Sequence, residues 1–289
     1  MALITDNELR MNKNKVVYAT IIAVLIIGIP VQVFPFIWLL SSSLKGAKDI
    51  FELPPRLIPK TFYFQNYVEV LNTLPIHRYF STTFLVALLT ILIQCTISTL
   101  AAFSLSQIRP KGGRLILLFF LGTMMIPEQA LLIPTYLTMR RFPLTGWNFI
   151  NTIWGVVLPW SAWAWPIFLM KGFFDGLPAE LFDAAKIDGA SNMRILRSII
   201  VPLSKPIIAI VVLQTFLAVY QQFVFPLIMM PDSRLWTITV AIYNMQHSGN
   251  FGWHLIMVLL VYATIPMLLL FIFAQKYLVQ GIKLTGIKA

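Results

Sequence analysis

One stretch outside the long apolar runs of the chain, Leu177–Pro206, combines acidic, small and large apolar side chains at close spacing. Three acids, Glu180, Asp183 and Asp188, stand there among alanines, a glycine and large apolar side chains. No histidine or cysteine accompanies them, so the stretch lacks the usual partners of a nucleophile or a metal ion. Short acids among small residues instead suit a surface that another protein can approach closely.

The first part of this stretch predicts a short helix that stops at a glycine. Pro178 suits the first helical position, where its missing N–H leaves no hydrogen bond unmade. Glu180 then lies in the first turn, where a carboxylate favours the positive end of the helix dipole. Ala184 and Ala185 are strong helix formers. Gly189 is a suitable stop residue, because helices commonly end at a residue of positive φ.

A second short helix is expected to follow the glycine. Ser191 is a suitable N-cap, and the helix should carry Arg194 and Arg197 and end before Pro202, since a proline disfavours the helix around it. Large apolar side chains supply one face of the two helices, and these are Leu181, Phe182, Ile187 and Met193.

Enzymatic chemistry is not indicated elsewhere in the chain. No Ser/His/Asp or paired-carboxylate arrangement stands out, and no Walker A loop predicts ATP binding by this chain. The one cysteine, Cys95, excludes an internal disulfide, and the histidines His77, His247 and His254 are too scattered to form a ligand set. We therefore expect a protein that is not catalytic by itself and has no metal or cofactor of its own.

Composition places these features on a membrane protein. The chain of 289 residues is 58% hydrophobic and only 11% charged, with a mean hydropathy of +0.79, whereas soluble domains carry about 25% charged residues. A span needs roughly 20 apolar residues, and the first run is too long for a cleaved signal. An all-α membrane protein with six transmembrane helices is predicted, over Val16–Leu40, Phe80–Phe103, Leu115–Leu137, Thr152–Phe174, Ile207–Met230 and Leu255–Lys276.

Basic residues predict the orientation of these spans. With the N-terminus inside, 14 of the 22 lysines and arginines fall in inner segments and 8 in outer segments, and cytoplasmic loops carry the excess of positive charge. The turn Arg109–Arg114 is the clearest inner marker. We therefore expect both termini in the cytoplasm (N-in/C-in) and one domain over residues 1–289, with a cytoplasmic loop at 177–206 and a cytoplasmic tail at 279–289.

The stretch Leu177–Pro206 also carries a recognisable motif. The run Glu180–Ser191, followed by Val201–Pro206, resembles the EAA motif of ABC importer permeases. In that family this loop is the coupling helix, which docks in a groove on the ATP-hydrolysing subunit. Asp183–Ala185 stands where the motif usually has Glu-Ala-Ala, a change that keeps the negative charge.

The similarity extends over nearly the whole chain. Met125–Pro127 and Pro134–Tyr136 resemble the third-span signature of sugar-importer permeases, and Asn151–Trp154 and Leu158–Pro159 resemble the start of their fourth span. Phe223–Leu227 occupies the place of a Trp-Asn-x-Phe-x-x-Pro-Leu pattern, in which Tyr220 and Gln221 replace Trp-Asn and alter the expected solute contacts. The chain is similar to the maltose-type carbohydrate permease subunit of a type I ABC importer.

This resemblance implies a multi-pass permease of a prokaryotic cytoplasmic (inner) membrane that imports an oligosaccharide or a related sugar. It implies a second, non-identical permease, two ATP-binding cassette ATPase subunits that bind ATP and Mg, and an extracytoplasmic solute-binding protein, with no nucleic acid. Gln275–Ala289 resembles a tail whose end reaches between the ATPase subunits. The residues implied to couple to the ATPase are Glu180, Asp183, Ala184, Ala185, Asp188, Gly189, Ala190 and Pro202.

Polar side chains inside the apolar runs form a second candidate site. Counting at about 1.5 Å per helical residue puts four of them near mid-depth, where an ionisable or polar residue is expensive. They either line a translocation path and hydrogen-bond sugar hydroxyls, next to Tyr220, or bond neighbouring helices to each other. Gln222 follows Gln221 directly and faces about 100° away from it around the helix. One of these two glutamines is therefore expected to face away from the path. The four side chains are Glu128, Gln32, Gln94 and Gln221.

Aromatic residues crowd the outer half of the fourth run. Indole rings there either stack on sugar rings or form an interfacial belt. The residues concerned are Trp154, Trp160, Trp163 and Trp165.

Other functions fit a membrane protein of this kind. An importer permease for a polar non-sugar, such as a glycerol phosphodiester, would favour strongly basic pathway residues, and none is found in the spans away from their ends. An ion-gradient-driven secondary transporter predicts internal repeats and broken helices and leaves the 177–206 loop unexplained. A membrane scaffold for a signalling complex, or a cytoplasmic connector with no partner at 177–206, are the remaining alternatives.

Overall fold

The computed structural model describes residues 12–285, and the side chains of residues 16–275. Long apolar runs give helices throughout this part of the chain, and no strand occurs within it. The helices are α1 (Asn12–Ser43), α2 (Gln65–Thr73), α3 (Ile76–Phe103), α4 (Gly113–Thr123), α5 (Leu132–Arg140), α6 (Trp154–Trp160), α7 (Ala164–Asp175), α8 (Ala179–Ile187), α9 (Asn192–Ile195), α10 (Val201–Leu203), α11 (Lys205–Gln221), α12 (Val224–Met229), α13 (Ile238–His247) and α14 (Trp253–Thr285).

Shorter helical turns join several of these helices. Two of them are π-helical, Ser104–Ile108 after α3 and Leu196–Ile200 after α9. The remaining three are 3₁₀ turns at Asp49–Phe51, Glu128–Leu131 and Ser233–Leu235.

In the described part of the chain, three unbroken helical segments are long and apolar enough to cross a membrane, namely Val16–Ser43, Ile76–Ile108 and Trp253–Gln275. The number rises to five if each of two bent helix pairs counts as one span. Most exposed side chains of α1 are large and apolar and lie on all sides of the helix, as expected for a helix that faces lipid. The structure therefore confirms an all-helical protein with apolar helices of membrane-spanning length.

The third, fourth and fifth predicted spans are not single straight helices. The third breaks after Thr123 and bends by 92° before Glu128–Arg140. The fourth is divided between α6 and α7, and the fifth between α11 and α12. Hydropathy does not register such breaks, because the residues on either side of them are equally apolar. Broken helices therefore do not distinguish a secondary transporter from an importer permease.

The chain folds into two units. One comprises the residues up to Thr73 together with Ser248–Tyr262, and the other comprises Leu74–His247 and the residues from Ala263 onwards.

In the first unit, the end of α1 is fixed by a buried asparagine. Asn66 donates its amide hydrogens to the carbonyls of Ser43, at 3.0 Å, and Lys45, at 2.9 Å. Lys45 is itself only 2% exposed, and its ammonium lies 4.3 Å from the centre of the Trp38 ring. A cation–π contact of this kind holds the lysine inside its unit.

In the second unit, α3 is the central helix, against which α6, α7 and α11 pack. Small and hydroxylated side chains on α3 permit the close packing. Thr83, for example, accepts a hydrogen bond from the backbone N–H of Ile238 at 2.9 Å, which satisfies a free donor at the start of α13. One buried apolar cluster, which includes Met170, Phe174 and Ile200, joins the ends of α3 and α7 to the segment after residue 177.

Candidate functional site

The 177–206 loop forms two short helices, as predicted, and Gly189 terminates the first of them, α8, two residues after its last helical residue. Gly189 has a φ of 76°. Its N–H donates to the carbonyl of Lys186 at 3.0 Å, and the N–H of Ala190 donates to the carbonyl of Ala185 at 2.9 Å. This pair of bonds is the Schellman arrangement, which requires a left-handed residue at the glycine position.

The start of each helix agrees with the sequence in most respects. Glu180 lies in the first turn of α8, and the Ser191 hydroxyl accepts from the N–H of Arg194 at 3.4 Å. Pro178 is the capping residue before α8 and not its first helical residue. Its extended ψ of 128° suits the cap, because the chain has not yet turned into the helix there.

The second helix does not end before Pro202. It continues through the π-helical turn Leu196–Ile200 and through α10, which contains Pro202 and ends at Leu203. The wider π turn relieves the close approach between a prolyl ring and the preceding carbonyls that normally ends an α-helix.

The loop has one face packed into its own chain and one face directed outwards. Phe182 and Ala185 are 4% and 8% exposed and join the buried apolar cluster, whereas Ile187 is 87% exposed. Of the predicted coupling residues, Ala190 is half-buried. The others, apart from buried Ala185, are exposed, and these are Glu180, Asp183, Ala184, Asp188, Gly189 and Pro202.

The outward face combines apolar and acidic side chains. Leu181, Ile187 and Met193 are exposed, and Asp183 and Asp188 lie on the same two-helix segment. Exposed large apolar side chains beside charged residues are one feature of surfaces that bind other proteins. We call this exposed set, with Gly189 at its turn, the docking surface.

The second candidate site lies where two helix breaks meet. Glu128 starts the 3₁₀ turn after the break in the third apolar run, and Gln222 follows the last residue of α11 at the break before α12. The Gln222 side-chain amide donates to the Glu128 carboxylate at 3.0 Å. Gln222 is also held through its backbone, because its carbonyl accepts from the Thr239 hydroxyl at 2.7 Å.

Gln222, and not Gln221, is therefore the glutamine that reaches Glu128. Gln221 is the last residue of α11, and no hydrogen bond from its side chain to Glu128 occurs within residues 16–275. The count of helical residues that placed Glu128 at mid-depth assumed a straight third span. The break after Thr123 means that this span is not straight. Consecutive glutamines before the apolar run Phe223–Leu227 were the only sequence signal for this pair.

Gln94 serves the break between α6 and α7. It is 1% exposed, its amide donates to the carbonyl of Trp163 at 3.1 Å, and its carbonyl accepts from the N–H of Trp163 at 2.7 Å. Its amide also donates to the Ser98 hydroxyl at 2.6 Å. The structure thus places Gln94 in the helix-to-helix bonding arrangement.

Other predicted pathway residues are occupied differently. Tyr220 is 5% exposed, and its hydroxyl donates to the carbonyl of Ala263 at 2.7 Å, which joins α11 to α14. Gln32 is exposed on α1, in the first unit. The Trp165 indole donates to the Gln214 side chain at 3.0 Å, so this tryptophan bonds α7 to α11.

A polar cluster that the sequence did not predict follows α12. Asn151, with a φ of 61°, donates its backbone N–H to the carbonyl of Met229 at 2.6 Å, and its side chain accepts from the N–H of Asp232 at 3.1 Å. Arg234 pairs with the Asp232 carboxylate at 2.6 Å and holds the pKa of that carboxyl at about 2. This cluster ties the loop before α6 to the loop after α12.

The described residues thus form apolar helices of membrane-spanning length and an exposed two-helix loop. Residues 94–284 match the family described as binding-protein-dependent transport system inner membrane component. The chain belongs to this family, and it is therefore a membrane component of a binding-protein-dependent transport system.

Two curated relatives show the same family over most of their length. The chain is 34% identical to the trehalose/maltose transport system permease protein MalG of Thermococcus litoralis, over 88% of this chain and 91% of that protein. It is 32% identical to the sn-glycerol-3-phosphate transport system permease protein UgpE of Rhizobium meliloti, over 89% of this chain and 93% of that protein.

A solved structure shares the fold. One chain of a bacterial ABC transporter involved in the import of the acidic polysaccharide alginate superposes with a TM-score of 0.82 at 19% identity. The match covers 92% of this chain and 98% of that chain. The importer-permease fold expected from the sequence is confirmed by this likeness.

Proposed function

We propose that this chain is one of two non-identical permease subunits of an ATP-driven, binding-protein-dependent importer of a carbohydrate. Family membership supports transport with a binding protein, and sugar-system relatives such as the trehalose/maltose permease support a carbohydrate. The observation that carries the ATP-driven part is the docking surface, which is ordered around Gly189 and directed outwards. Two ATPase subunits, which bind ATP and Mg, are its proposed partners.

The proposed topology has six crossings with both termini in the cytoplasm. Three crossings are the unbroken helices, and the others are the broken segments α4–α5, α6–α7 and α11–α12. The excess of basic residues in the inner segments supports this orientation. The proposed cytoplasmic tail, 279–289, is helical up to Thr285 and otherwise lies outside the described residues.

The proposed mechanism links the docking surface to the spans through packing. Phe182 and Ala185 belong to the same buried cluster as Met170 and Phe174 of α7 and Val211 of α11. A displacement of α8 by the ATPase subunits would therefore move the ends of α7 and α11, because close-packed interiors transmit movement. Such coupling between remote sites is a two-state equilibrium that each ligand biases.

The proposed solute path passes the Glu128–Gln222 pair. Non-helical backbone at membrane depth is tolerated where it is buried in protein or lines a water-filled cavity. Glu128 and Gln222 lie within the predicted spans Leu115–Leu137 and Ile207–Met230, and a carboxylate inside the membrane likewise has to face water, protein or solute and not lipid. Both requirements meet at this pair, where Glu128 and Gln222 are exposed or half-buried within the single chain.

The carboxylate favours a neutral sugar over an anionic solute. Within residues 16–275, Glu128 forms no ion pair with a lysine or an arginine, so its charge is available to accept hydrogen bonds from solute hydroxyls. A phosphate group near it would be repelled. Because a permease of an sn-glycerol-3-phosphate transport system is among the relatives, a phosphate ester is the alternative solute.

Replacement of Glu128 tests this solute assignment. A hydrogen bond to a charged group contributes about 1.5–3 kcal/mol, so Glu128→Ala should lower uptake of a neutral oligosaccharide by about 10- to 100-fold in the reconstituted complex. Complex assembly and basal ATP hydrolysis should be retained. Glu128→Lys should in addition increase competition by sn-glycerol 3-phosphate, because it reverses the local charge.

Gln129→Ala is the matched control, since Gln129 is the exposed neighbour in the same 3₁₀ turn. Normal oligosaccharide uptake by Glu128→Ala would remove Glu128 from the path. Loss of assembly in Glu128→Ala, with Gln129→Ala intact, would instead assign Glu128 to helix-to-helix bonding.

A further inference from the structure

A basic basin lies where the end of α3, the start of α4 and the end of α7 meet. Its volume is about 410 Å³, and it is open to the surface. Three basic side chains, one acid and apolar side chains line it, including Arg109, Arg114, Lys171, Asp175, Leu105 and Leu117. None of these residues belongs to the docking surface or to the Glu128–Gln222 pair.

The charges of the basin leave two positive groups without an acidic partner. Lys171 is paired with Asp175, with 2.5 Å between ammonium nitrogen and carboxylate oxygen. Arg109 and Arg114 form no ion pair within residues 16–275. Guanidinium groups bind phosphate oxygens through paired hydrogen bonds. Two arginine side chains beside one cavity therefore suit a phosphate group.

Arg109 is held in a fixed and unusual conformation. Its φ is 51°, which is uncommon for a residue with a Cβ atom. Its backbone N–H donates to the carbonyl of Ser104 at 2.9 Å, and its Nε donates to the carbonyl of Ser106 at 2.8 Å. With Nε occupied, the terminal nitrogens of the guanidinium remain to bind an anion. The turn is therefore built to hold this side chain in place.

The surroundings of the basin are apolar on one side. Along α4, Leu115, Leu118 and Phe119 are 59%, 56% and 69% exposed. These side chains continue from the charged turn along a helix that belongs to a proposed span. A basic pocket at the cytoplasmic end of transmembrane helices, followed by an apolar helix surface, suits a lipid with an anionic headgroup and acyl chains.

From this arrangement we propose that the basin binds the phosphodiester headgroup of an anionic membrane phospholipid, such as phosphatidylglycerol. Arg109 and Arg114 bind the phosphate oxygens, Lys171 contributes further positive charge, and the acyl chains lie along α4. The exposed apolar face of α4 favours a lipid over free phosphate, which would gain nothing from it. The proposal goes beyond the transport function and does not depend on which solute is carried.

The test measures phospholipid retained by the assembled importer after purification from a membrane of mixed phosphatidylglycerol and phosphatidylethanolamine. Retained lipid is counted by mass spectrometry for the wild type, for the double variant Arg109→Gln/Arg114→Gln, and for Lys111→Gln. Lys111 lies in the same turn, is exposed and does not line the basin, so its variant controls for loss of one positive charge. Inorganic phosphate is added to a parallel sample as a competitor.

We expect the double variant to retain about fivefold less phosphatidylglycerol than the wild type or Lys111→Gln, with phosphatidylethanolamine unchanged. Asp175→Asn should retain more phosphatidylglycerol than the wild type, because it removes the acid that lines the basin and releases Lys171. If the double variant fails to assemble, the phosphatidylglycerol retained by Asp175→Asn tests the proposal by itself. Equal retention in all variants would overturn the proposal. Full displacement by inorganic phosphate would assign the basin to free phosphate, and loss of the second permease from the double variant would assign it to a protein contact.

Discussion

Gly189→Val should abolish ATP-driven uptake and weaken the association of the ATPase subunits, while the chain remains in the membrane. Gly189 has a φ of 76°, a conformation that costs a residue with a Cβ roughly 1–2 kcal/mol. Among the described side chains and apart from its two sequence neighbours, no atom lies within 4 Å of a Cβ built at this position, so the added side chain projects outwards from the docking surface. Overpacking of a docked interface costs about 1–3 kcal/mol more.

Together these terms are about 2–5 kcal/mol, which corresponds to a loss of roughly 30- to several-thousand-fold in the docking equilibrium. The measurement is pull-down of the ATPase with each variant, followed by uptake of solute. Gly146→Val is a matched control, because Gly146 has a φ of 71° and equally open surroundings in a different loop. It should retain ATPase association.

Two further variants separate backbone strain from surface obstruction. Gly189→Asn should be intermediate, because asparagine tolerates positive φ but still adds a side chain. Asp183→Glu, which restores the usual residue of the EAA motif, should be nearly neutral. If Gly189→Val retains both ATPase binding and uptake, the loop is not the coupling helix.

Gln94→Leu should destabilise the protein strongly without a specific effect on solute recognition. Gln94 satisfies both the N–H and the carbonyl of Trp163 at the break between α6 and α7. Leucine fills a similar volume but makes neither bond. The Trp163 carbonyl keeps the first hydrogen bond of α7, whereas the Trp163 N–H is left unpaired, which costs about 1–3 kcal/mol. The expected cost is therefore roughly 1–3 kcal/mol, measured as a lower temperature of disassembly of the purified complex in detergent.

Gln129→Leu is the control for Gln94→Leu, because Gln129 is exposed and undergoes the same exchange of an amide for an apolar side chain. It should leave the disassembly temperature nearly unchanged. A Gln94→Leu complex of normal stability with a specific loss of uptake would contradict the structural role and return Gln94 to the solute path.

The docking loop could be predicted in detail because its signals are local. Gly189 had to supply a positive φ, and Ser191 had to cap the following turn, and both do so. The passage of the helix through Pro202 could not be predicted, since it depends on a π-helical turn at Leu196–Ile200 that no residue type marks. The docked partner itself remains a proposal from the motif.

The breaks in the spans depend on tertiary packing, and this is why the second site was only partly predicted. Proline does not mark the breaks reliably, because Pro30 and Pro266 lie inside the continuous helices α1 and α14. Breaks persist where side chains such as Gln94 satisfy the freed backbone groups, and these contacts join residues far apart in sequence. The count of helical residues therefore predicted Glu128 as a residue of the second site, but it favoured Gln221 over Gln222 as its partner there.

The most direct test of the proposed function is the energy source for transport in proteoliposomes that contain this chain with its partner permease and ATPase subunits. A labelled neutral oligosaccharide is supplied outside with its binding protein, and the vesicles contain either ATP with Mg²⁺, a non-hydrolysable ATP analogue, or no nucleotide under an imposed proton or sodium gradient. We predict uptake only with hydrolysable ATP and only when the binding protein is present. Uptake driven by an ion gradient without ATP would contradict the proposed function and assign the chain to a secondary transporter.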